Sequence, residues 1–141
     1  MYNLLTILLL SLTLNTQQGP KTDPEKKAKI LVDGEWVEKT LDTNPTFGSA
    51  ELDIEKFIAK SILYPMEAAR AKVSGMTLIT AEITEDGKIE NEQIEKDLGA
   101  GLGKESLRVV QLIPDTWTPA TLNGKPVRTQ ITIPIRYTIM K

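Results

Sequence analysis

The last part of the chain alternates so regularly between residue types that few structures can accommodate it. Apolar residues or threonine occupy every second position, namely Val127, Thr129, Ile131, Ile133, Ile135, Tyr137 and Ile139, and Arg128, Gln130, Thr132, Pro134, Arg136 and Thr138 lie between them. A period of two places alternate side chains on opposite faces of a β-strand. The sequence therefore predicts one strand over residues 127–139, with a buried face and a solvated face. At about 3.3 Å per residue it would extend over roughly 40 Å, longer than a usual strand.

Pro134 lies within this predicted strand and has no N–H group to donate to a sheet ladder. Proline in sheets is confined mostly to edges, ends and bulges. The strand also carries arginines on its polar face. We therefore expect it to be an edge strand, at least in part, and a sheet edge is where another chain can add itself.

Helical spacing and β-rich runs alternate upstream of that strand. Ser49 is predicted to cap a helix with Glu51 and Asp53 in its first turn, and the apolar face of this helix consists of Ile54, Phe57, Ile58 and Ile62. Pro65 is predicted to start a second helix that ends at Gly75. A third helix is expected over residues 104–113, closed by Pro114.

Residues 76–84 are rich in β-branched and apolar side chains, and the turn sequence of residues 85–88 follows. This pattern predicts a hairpin. In the returning strand, Ile89 and Ile94 are separated by an odd number of positions, so strict alternation would point them to opposite faces. We expect a bulge or an early exit between them.

The N-terminal third divides into two parts. Residues 1–18 begin with an uncharged apolar run, 1–14, too short for the roughly 20 residues of a membrane-spanning helix. This favours a signal peptide, with a short retained anchor or a buried or interfacial helix as alternatives. Residues 19–48 are interpreted as a linker with a hairpin over residues 30–41, turning at Asp33-Gly34. Because two strands alone are marginal in water, either Trp36 packs on the domain of residues 49–141 or the hairpin stays loosely ordered.

Two absences exclude whole classes of chemistry. The chain contains no cysteine and no histidine, so it can form neither a disulfide nor a Ser-His or Cys-His catalytic arrangement. We expect a non-enzymatic protein without catalytic, cofactor or metal sites; carboxylate-only or lysine chemistry is the alternative left open. The 17 basic and 19 acidic residues are interspersed, with a net charge of −2, which argues against nucleic acid as a partner.

Residues 99–104 resemble a phosphate-binding loop at first sight. The phosphate-loop spacing would require glycine at Leu98 and Ser or Thr at Glu105, and a dinucleotide fingerprint would require glycine at Lys104. Neither the phosphate-loop spacing nor the dinucleotide spacing is present, so we interpret this segment as a strand-to-helix loop. The acidic residues near the predicted hairpin also lack calcium-loop spacing.

Short motifs follow one another in a characteristic order from residue 45 to residue 137. They are Pro45-x-Phe47-Gly48, Tyr64-Pro65, Ala68-Ala69-Arg70, Gly75, Asp86-Gly87-Lys88, Glu105, Leu107-Arg108-Val109, Trp117-x-Pro119, Asn123-Gly124-Lys125-Pro126-Val127 and Pro134-Ile135-Arg136-Tyr137. This ordered set resembles the TonB C-terminal domain family, in its Bacteroidetes type. The resemblance implies an α+β fold, with two or three helices packed on one face of a small, mostly antiparallel sheet and the N-terminal hairpin as an extension.

The resemblance also implies a function. Members of the family act in the Gram-negative periplasm, where they bind the N-terminal TonB box of outer-membrane transporters as an added strand. Family transducers pass energy from an inner-membrane motor of the ExbB/ExbD type. The expected partner-binding residues here are Arg128, Thr129, Gln130, Ile131, Thr132 and Ile133, with Arg136 on the same polar face. The alternatives are capping of this edge by the chain's own hairpin, or by a second copy in a homodimer.

The chain departs from the pattern of a full transducer. It lacks the functional histidine of the transducer's membrane helix, and only 27 residues, 19–45, could replace the long proline-rich span. Fully extended, they would reach at most about 97 Å. The sequence therefore favours TonB-box binding that supports transport, with a soluble periplasmic adaptor or structural interaction protein as the alternative.

Overall fold

The computed structural model describes residues 27–48 and 53–140. The predicted signal peptide or anchor lies outside these residues, and so do Ser49 and Glu51, where the first helix was expected to start. Within the described residues, no helix is long and apolar enough to cross a membrane.

Three helices and nine strands make up the described part of the chain. In order they are β1 Lys27–Val32, β2 Glu35–Thr40, β3 Thr46–Phe47, α1 Ile54–Ser61, α2 Met66–Arg70, β4 Gly75–Ile83, β5 Ile89–Lys96, α3 Leu102–Gln111, β6 Trp117–Thr118, β7 Ala120–Leu122, β8 Lys125–Val127 and β9 Thr129–Tyr137. The main sheet has the order β2-β1-β9-β4-β5 and is antiparallel throughout. Two small two-stranded sheets, β3-β6 and β7-β8, lie beside it.

The three helices cover one face of the main sheet. Alternate residues of β4 and β9 are buried beneath them, including Ile79, Ile83, Ile133 and Ile135. The helices contribute Ile58, Ala68, Leu102, Val109 and Val110 to the same core. This arrangement confirms the predicted fold class and the period-two alternation of the last strand.

A buried polar network fastens the end of β9 to α3. The hydroxyl of Ser106 lies 2.6 Å from that of Thr77 and 2.9 Å from that of Tyr137, and it donates to the carbonyl of Leu102 at 2.8 Å. Burial raises the pKa of Tyr137, and the Ser106 hydrogen bond acts in the opposite direction. The ring of Tyr64 packs edge-on against Tyr137, 5.5 Å between centroids. These contacts fix the position of the C-terminal end of β9.

The predicted irregularity in β5 is confirmed. The β4–β5 register shifts twice, between Leu78 and Ile79 and between Thr80 and Glu82. Asn91, between Ile89 and Ile94, has a φ of +54°. One extra residue on β5, at the shift between Thr80 and Glu82, allows Ile89 to pair with Ile83 and Ile94 with Ile79 despite their odd separation.

Several predicted element boundaries are wrong, and local contacts explain them. Asp53 is the N-cap of α1, since its carboxylate accepts the N–H of Glu55 at 2.9 Å. The second helix ends at Arg70, because Lys72 adopts a left-handed φ of +53°, and Gly75 begins β4. The third helix already begins at Leu102, two residues earlier than expected.

Asp97 explains that early start. Its carboxylate accepts the N–H groups of Gly99 at 2.8 Å and Gly103 at 2.9 Å. The chain's own anion therefore occupies the helix N-terminus, where a phosphate loop would bind phosphate.

The predicted continuous strand over residues 127–139 is interrupted at Arg128 and ends at Tyr137. The segment before the interruption, β8, pairs with β7 around the Asn123-Gly124 turn, whereas β9 pairs with β4. The hydropathy pattern does not show this interruption. The alternation of apolar and polar residues continues from β8 into β9, although β8 pairs with β7 and β9 pairs with β4.

The N-terminal hairpin, formed by β1 and β2, turns at Asp33-Gly34, and both residues have positive φ angles. Ile30 anchors it: this side chain is fully buried against Leu41 and Ala120. Trp36 remains 41% exposed. The prediction that Trp36 packs on the main domain is therefore wrong, because Ile30 lies on the face of β1 that meets the β7–β8 layer.

Candidate peptide-binding edge

The two flanks of β9 differ. On one side β9 pairs with β4 along its whole length, from Thr129 opposite Ile83 to Tyr137 opposite Gly75. On the other side it pairs with β1 at a single position, Thr129 opposite Ile30. Among the described residues, no strand pairs with that second side of residues 131–137. We call this side of residues 131–137 the open flank.

The direction of the backbone groups on the open flank follows from one hydrogen bond. The N–H of Leu31 donates to the carbonyl of Arg128 at 3.0 Å. The backbone N–H and C=O groups of Arg128 therefore point toward β1. In an antiparallel ladder, alternate residues direct their N–H and C=O groups to the same neighbour. Thr132, Pro134 and Arg136 therefore direct their backbone groups to the open flank, and Ile133 directs its groups to β4.

This alternation explains why proline is tolerated within β9. The N–H that Pro134 lacks would point to the open flank, so the ladder to β4 loses no hydrogen bond. Pro134 lies opposite Leu78 in β4. The backbone groups of these two residues point away from each other, so no hydrogen bond joins them. Proline within a strand is typical of a position whose N–H side is unpaired.

The predicted site residues divide into two groups. Arg128, Thr129 and Gln130 are not part of the open flank: the carbonyl of Arg128 accepts the N–H of Leu31 in β1, and Thr129 lies opposite Ile30 of β1 with its side chain buried. The remaining predicted residues, Ile131, Thr132, Ile133 and Arg136, lie in the open part of β9, with Thr132 and Arg136 exposed on the solvated face and Ile133 buried in the core.

Arg128 instead organises the acidic surface beside the sheet. Its guanidinium lies 2.8 Å from Glu82, 3.1 Å from Glu90 and 3.9 Å from Glu85. The hydrogen bond to Glu82 is the main reason that the pKa of Arg128 is raised. Because Glu82 and Glu90 are direct cross-strand partners, Arg128 neutralises two like charges that would otherwise repel each other.

The two outer edges of the sheet are less suited to accept a strand. The edge strand β5 is bulged and carries several acidic side chains. The other edge strand, β2, carries Glu35, Glu38 and Lys39 within six residues. Bulges and charges are the devices by which natural sheets discourage edge pairing. Residues 131–137 carry a single charged side chain, Arg136.

A cavity with a volume of about 510 Å³ lies on the helical side of the molecule. Its residues are Leu63, Tyr64, Pro65, Gly101, Lys104, Glu105, Leu107, Arg108 and Gln111. Here Glu105 accepts hydrogen bonds from Arg108 at 2.6 and 2.8 Å and from the N–H of Leu63 at 2.7 Å. The bond from Arg108 is the main reason that the pKa of Glu105 is lowered, with burial opposing it. These contacts connect α3 to the segment between α1 and α2.

Comparison with known proteins decides the family. The model of the Gram-negative bacterial TonB protein C-terminal family matches residues 60–139, which is more than half of the chain. The chain belongs to the TonB C-terminal family. Its matched residues include β4, α3 and the whole of β9, and the N-terminal hairpin lies outside the match.

One solved structure of a TonB C-terminal domain is also similar. The solution structure of this domain of Helicobacter pylori TonB, determined by NMR, has a TM-score of 0.46 and 21% sequence identity, over 60% of this chain and 88% of that chain. No curated protein matches the chain.

Family membership confirms the resemblance stated from the motifs. The TonB C-terminal family is a family of non-enzymatic protein-interaction domains. No group of three or more potential metal ligands is found within residues 27–48 and 53–140. The open flank of β9 is therefore the candidate protein-interaction surface of this TonB-like protein.

Proposed function

We propose that this TonB-like protein binds the N-terminal TonB box of outer-membrane transporters in the periplasm, by adding the box as a strand to the open flank of β9. The observation that carries the proposal is the asymmetry of β9, which is fully paired with β4 and paired with β1 only at Thr129. In this way the protein supports TonB-dependent transport.

The open flank has the properties that strand addition requires. Its seven residues extend over about 23 Å, enough for a short peptide strand. Thr132 and Arg136 each direct an N–H and a C=O group outward, and Pro134 directs a C=O group outward. The opposite side of the strand is held rigidly by the β4 ladder and by the Tyr137 network. A preorganised edge of this kind reduces the entropy lost on binding.

Substitution of Thr132 tests the proposal. Thr132→Pro removes one outward N–H group without removing a hydrogen bond to β4, and the matched control, Thr132→Val, keeps this N–H and removes only the hydroxyl. Binding of the full chain to N-terminal transporter peptides that contain a TonB box, and to scrambled peptides, is measured by calorimetry. We expect Thr132→Pro to weaken binding at least about fivefold, because one hydrogen bond is lost and a peptide carbonyl is left unpaired.

The outcomes are distinct. Thr132→Val should bind the peptide within twofold of the wild-type chain, and both variants should keep the wild-type denaturation midpoint. A wild-type chain that does not distinguish TonB-box peptides from scrambled ones would contradict the proposed function. Equal binding by the two variants would exclude the open flank as the site.

The place of the protein in the cell envelope is a separate part of the proposal. We infer export through the apolar N-terminus, and cell fractionation with N-terminal sequencing of the mature protein tests this. A cleaved, soluble periplasmic product supports an adaptor, whereas an intact chain in the inner membrane supports a transducer that works with a motor of the ExbB/ExbD type. An uncleaved product in the cytoplasm would contradict both forms.

A further inference from the structure

The strands β1 and β9 meet at one point and then diverge. They pair at Ile30 and Thr129, and among the residues that the structure describes no further pair follows in either direction. Between them lies a cavity of about 570 Å³. Its lining includes Lys27, Ala28, Pro45, Glu95, Ile131 and Thr132. We call this cavity the V.

Both sides of the V present backbone groups of a strand. The two-residue turn of the hairpin makes Val32 and Glu35 a hydrogen-bonded pair, so even-numbered residues of β1 direct their backbone groups to β2. Odd-numbered residues face the other way, as the bond from Leu31 to Arg128 shows. The N–H and C=O of Lys27 therefore point into the V from one side, and those of Thr132 point into it from the other.

The side chains around the V differ between its two faces. Ala28 and Ile131 pack against the two hydrophobic clusters on the buried face, and Pro45 lies beside them in the lining. The solvated face carries Lys27 and Lys29 on β1, both exposed, and the lining also contains Glu38 and Glu95. An extended chain within the V would thus have an apolar environment on one face and a charged one on the other.

We propose that the V is the entrance of the binding site, and that the bound peptide inserts between β1 and β9 rather than only adding to β9. The inserted segment then pairs with Thr132 on one side and with Lys27 on the other, so that the N-terminal hairpin acts as a clamp. This inference rests on the proposed function and assigns a partner-binding role to β1, which lies outside the residues that match the family.

The geometry of a sheet makes such insertion feasible. Two strands that flank a third lie about 10 Å apart, which is twice the spacing of neighbouring strands. Because β1 and β9 are antiparallel, the inserted segment is parallel to one of them and antiparallel to the other, and mixed sheets of this kind are common. The contacts of Ile30 with Leu41 and Ala120 hold the closed end of the V while its open end widens.

The chemistry of the V specifies the occupant. It is an extended peptide whose residues alternate between small apolar side chains, which face Ala28, Ile131 and Pro45, and polar side chains, which face the charged rim. Proline in the segment that enters the V should be excluded wherever its missing N–H would face Lys27 or Thr132.

Two substitutions at one position test the clamp. Lys27→Pro removes the N–H that points into the V, and the matched control, Lys27→Ala, removes the same charge but keeps that N–H. Neither change affects the hydrogen bonds between β1 and β2, because Lys27 does not direct its backbone to β2. In the full chain, we expect Lys27→Pro to weaken binding of a TonB-box peptide at least about fivefold more than Lys27→Ala does, because only the proline removes the N–H group.

Hydrogen exchange of single amides, followed by NMR, provides a second measurement. On peptide binding, the amides of Lys27 and Thr132 should both become protected, by at least about tenfold. Protection of Thr132 and Arg136 without Lys27, or equal binding by the two Lys27 variants, would overturn the clamp and leave simple edge addition. An amide of Lys27 that is already protected in the free chain would overturn it as well, because the V would then be closed. If no peptide binds the wild-type chain, the proposed function itself fails.

Discussion

Replacement of Ile30 by alanine is expected to release the N-terminal hairpin from the rest of the molecule. Ile30 is fully buried, and only Leu41 and Ala120 are buried with it in its cluster. Among the described residues, the hairpin pairs with the rest of the main sheet at one position, Ile30 opposite Thr129 of β9. The attachment of the hairpin therefore depends strongly on this one side chain.

The magnitude follows from the atoms removed. Ile→Ala deletes three buried carbons, and their transfer to water is worth about 0.8 kcal/mol each, or about 2.4 kcal/mol in total. A cavity contribution brings the usual range to about 2–5 kcal/mol. A two-stranded hairpin is at best marginally stable by itself, so this loss should exceed the free energy that holds it in place.

Native-state hydrogen exchange measures the effect locally. The amide of Val37, the partner of Ile30 in β2, reports on the hairpin, and the amide of Ile79 in β4 reports on the main sheet. We expect Ile30→Ala to accelerate exchange at Val37 by at least about 30-fold, which corresponds to 2 kcal/mol, with little change at Ile79. The control is Val32→Ala in the same hairpin, where the side chain is 39% exposed and the effect should stay below about fivefold.

Two results would refute this reasoning. Equal acceleration at Val37 and Ile79 would show that the hairpin and the main sheet unfold as one cooperative unit. A similar effect of Ile30→Ala and Val32→Ala would show that burial of Ile30 does not anchor the hairpin.

Three further substitutions test the turn between β4 and β5, a contact of α3 and the open flank. Gly87→Ala should lower the free energy of unfolding by about 2–4 kcal/mol, measured by urea denaturation, because φ is +79° and the new methyl group would overlap the carbonyl oxygen of Trp117. The ionised carboxylate of Glu105 stabilises the folded chain above about pH 4.5, and this stabilisation is lost as the pH falls through the lowered pKa of Glu105. Glu105→Gln should remove it. Urea midpoints of the wild-type chain and of the variant between about pH 3 and 7 measure the difference. Pro134→Thr supplies an outward N–H, so a TonB-box peptide should bind about 2- to 10-fold more tightly in calorimetry.

Each of these expectations has a contrary outcome. A loss below about 1 kcal/mol for Gly87→Ala would show that the turn can move away from Trp117 without cost. A difference between wild type and Glu105→Gln that persists at the acid end would indicate packing rather than charge. Unchanged binding by Pro134→Thr would place the peptide backbone elsewhere.

Local sequence chemistry was sufficient for much of the fold. The alternation from Ile131 to Tyr137 determined which side chains of β9 are buried, because hydropathy acts along the direction in which side chains point. Asp33-Gly34 determined the hairpin turn, because few residues other than Gly, Asn and Asp adopt positive φ angles. The odd spacing of Ile89 and Ile94 was sufficient to predict the irregularity of β5.

Only the tertiary structure decided what lies beside β9. Hydrogen bonds between strands lie in the plane of the sheet, at right angles to the side chains, so the hydropathy pattern carries no information about lateral neighbours. The sequence could therefore suggest an edge from Pro134, but not that β1 covers Thr129 and diverges beyond it. The ion pairs of Arg128 with Glu82 and Glu90 are likewise long-range contacts, 46 and 38 positions apart in the chain, which no local pattern specifies.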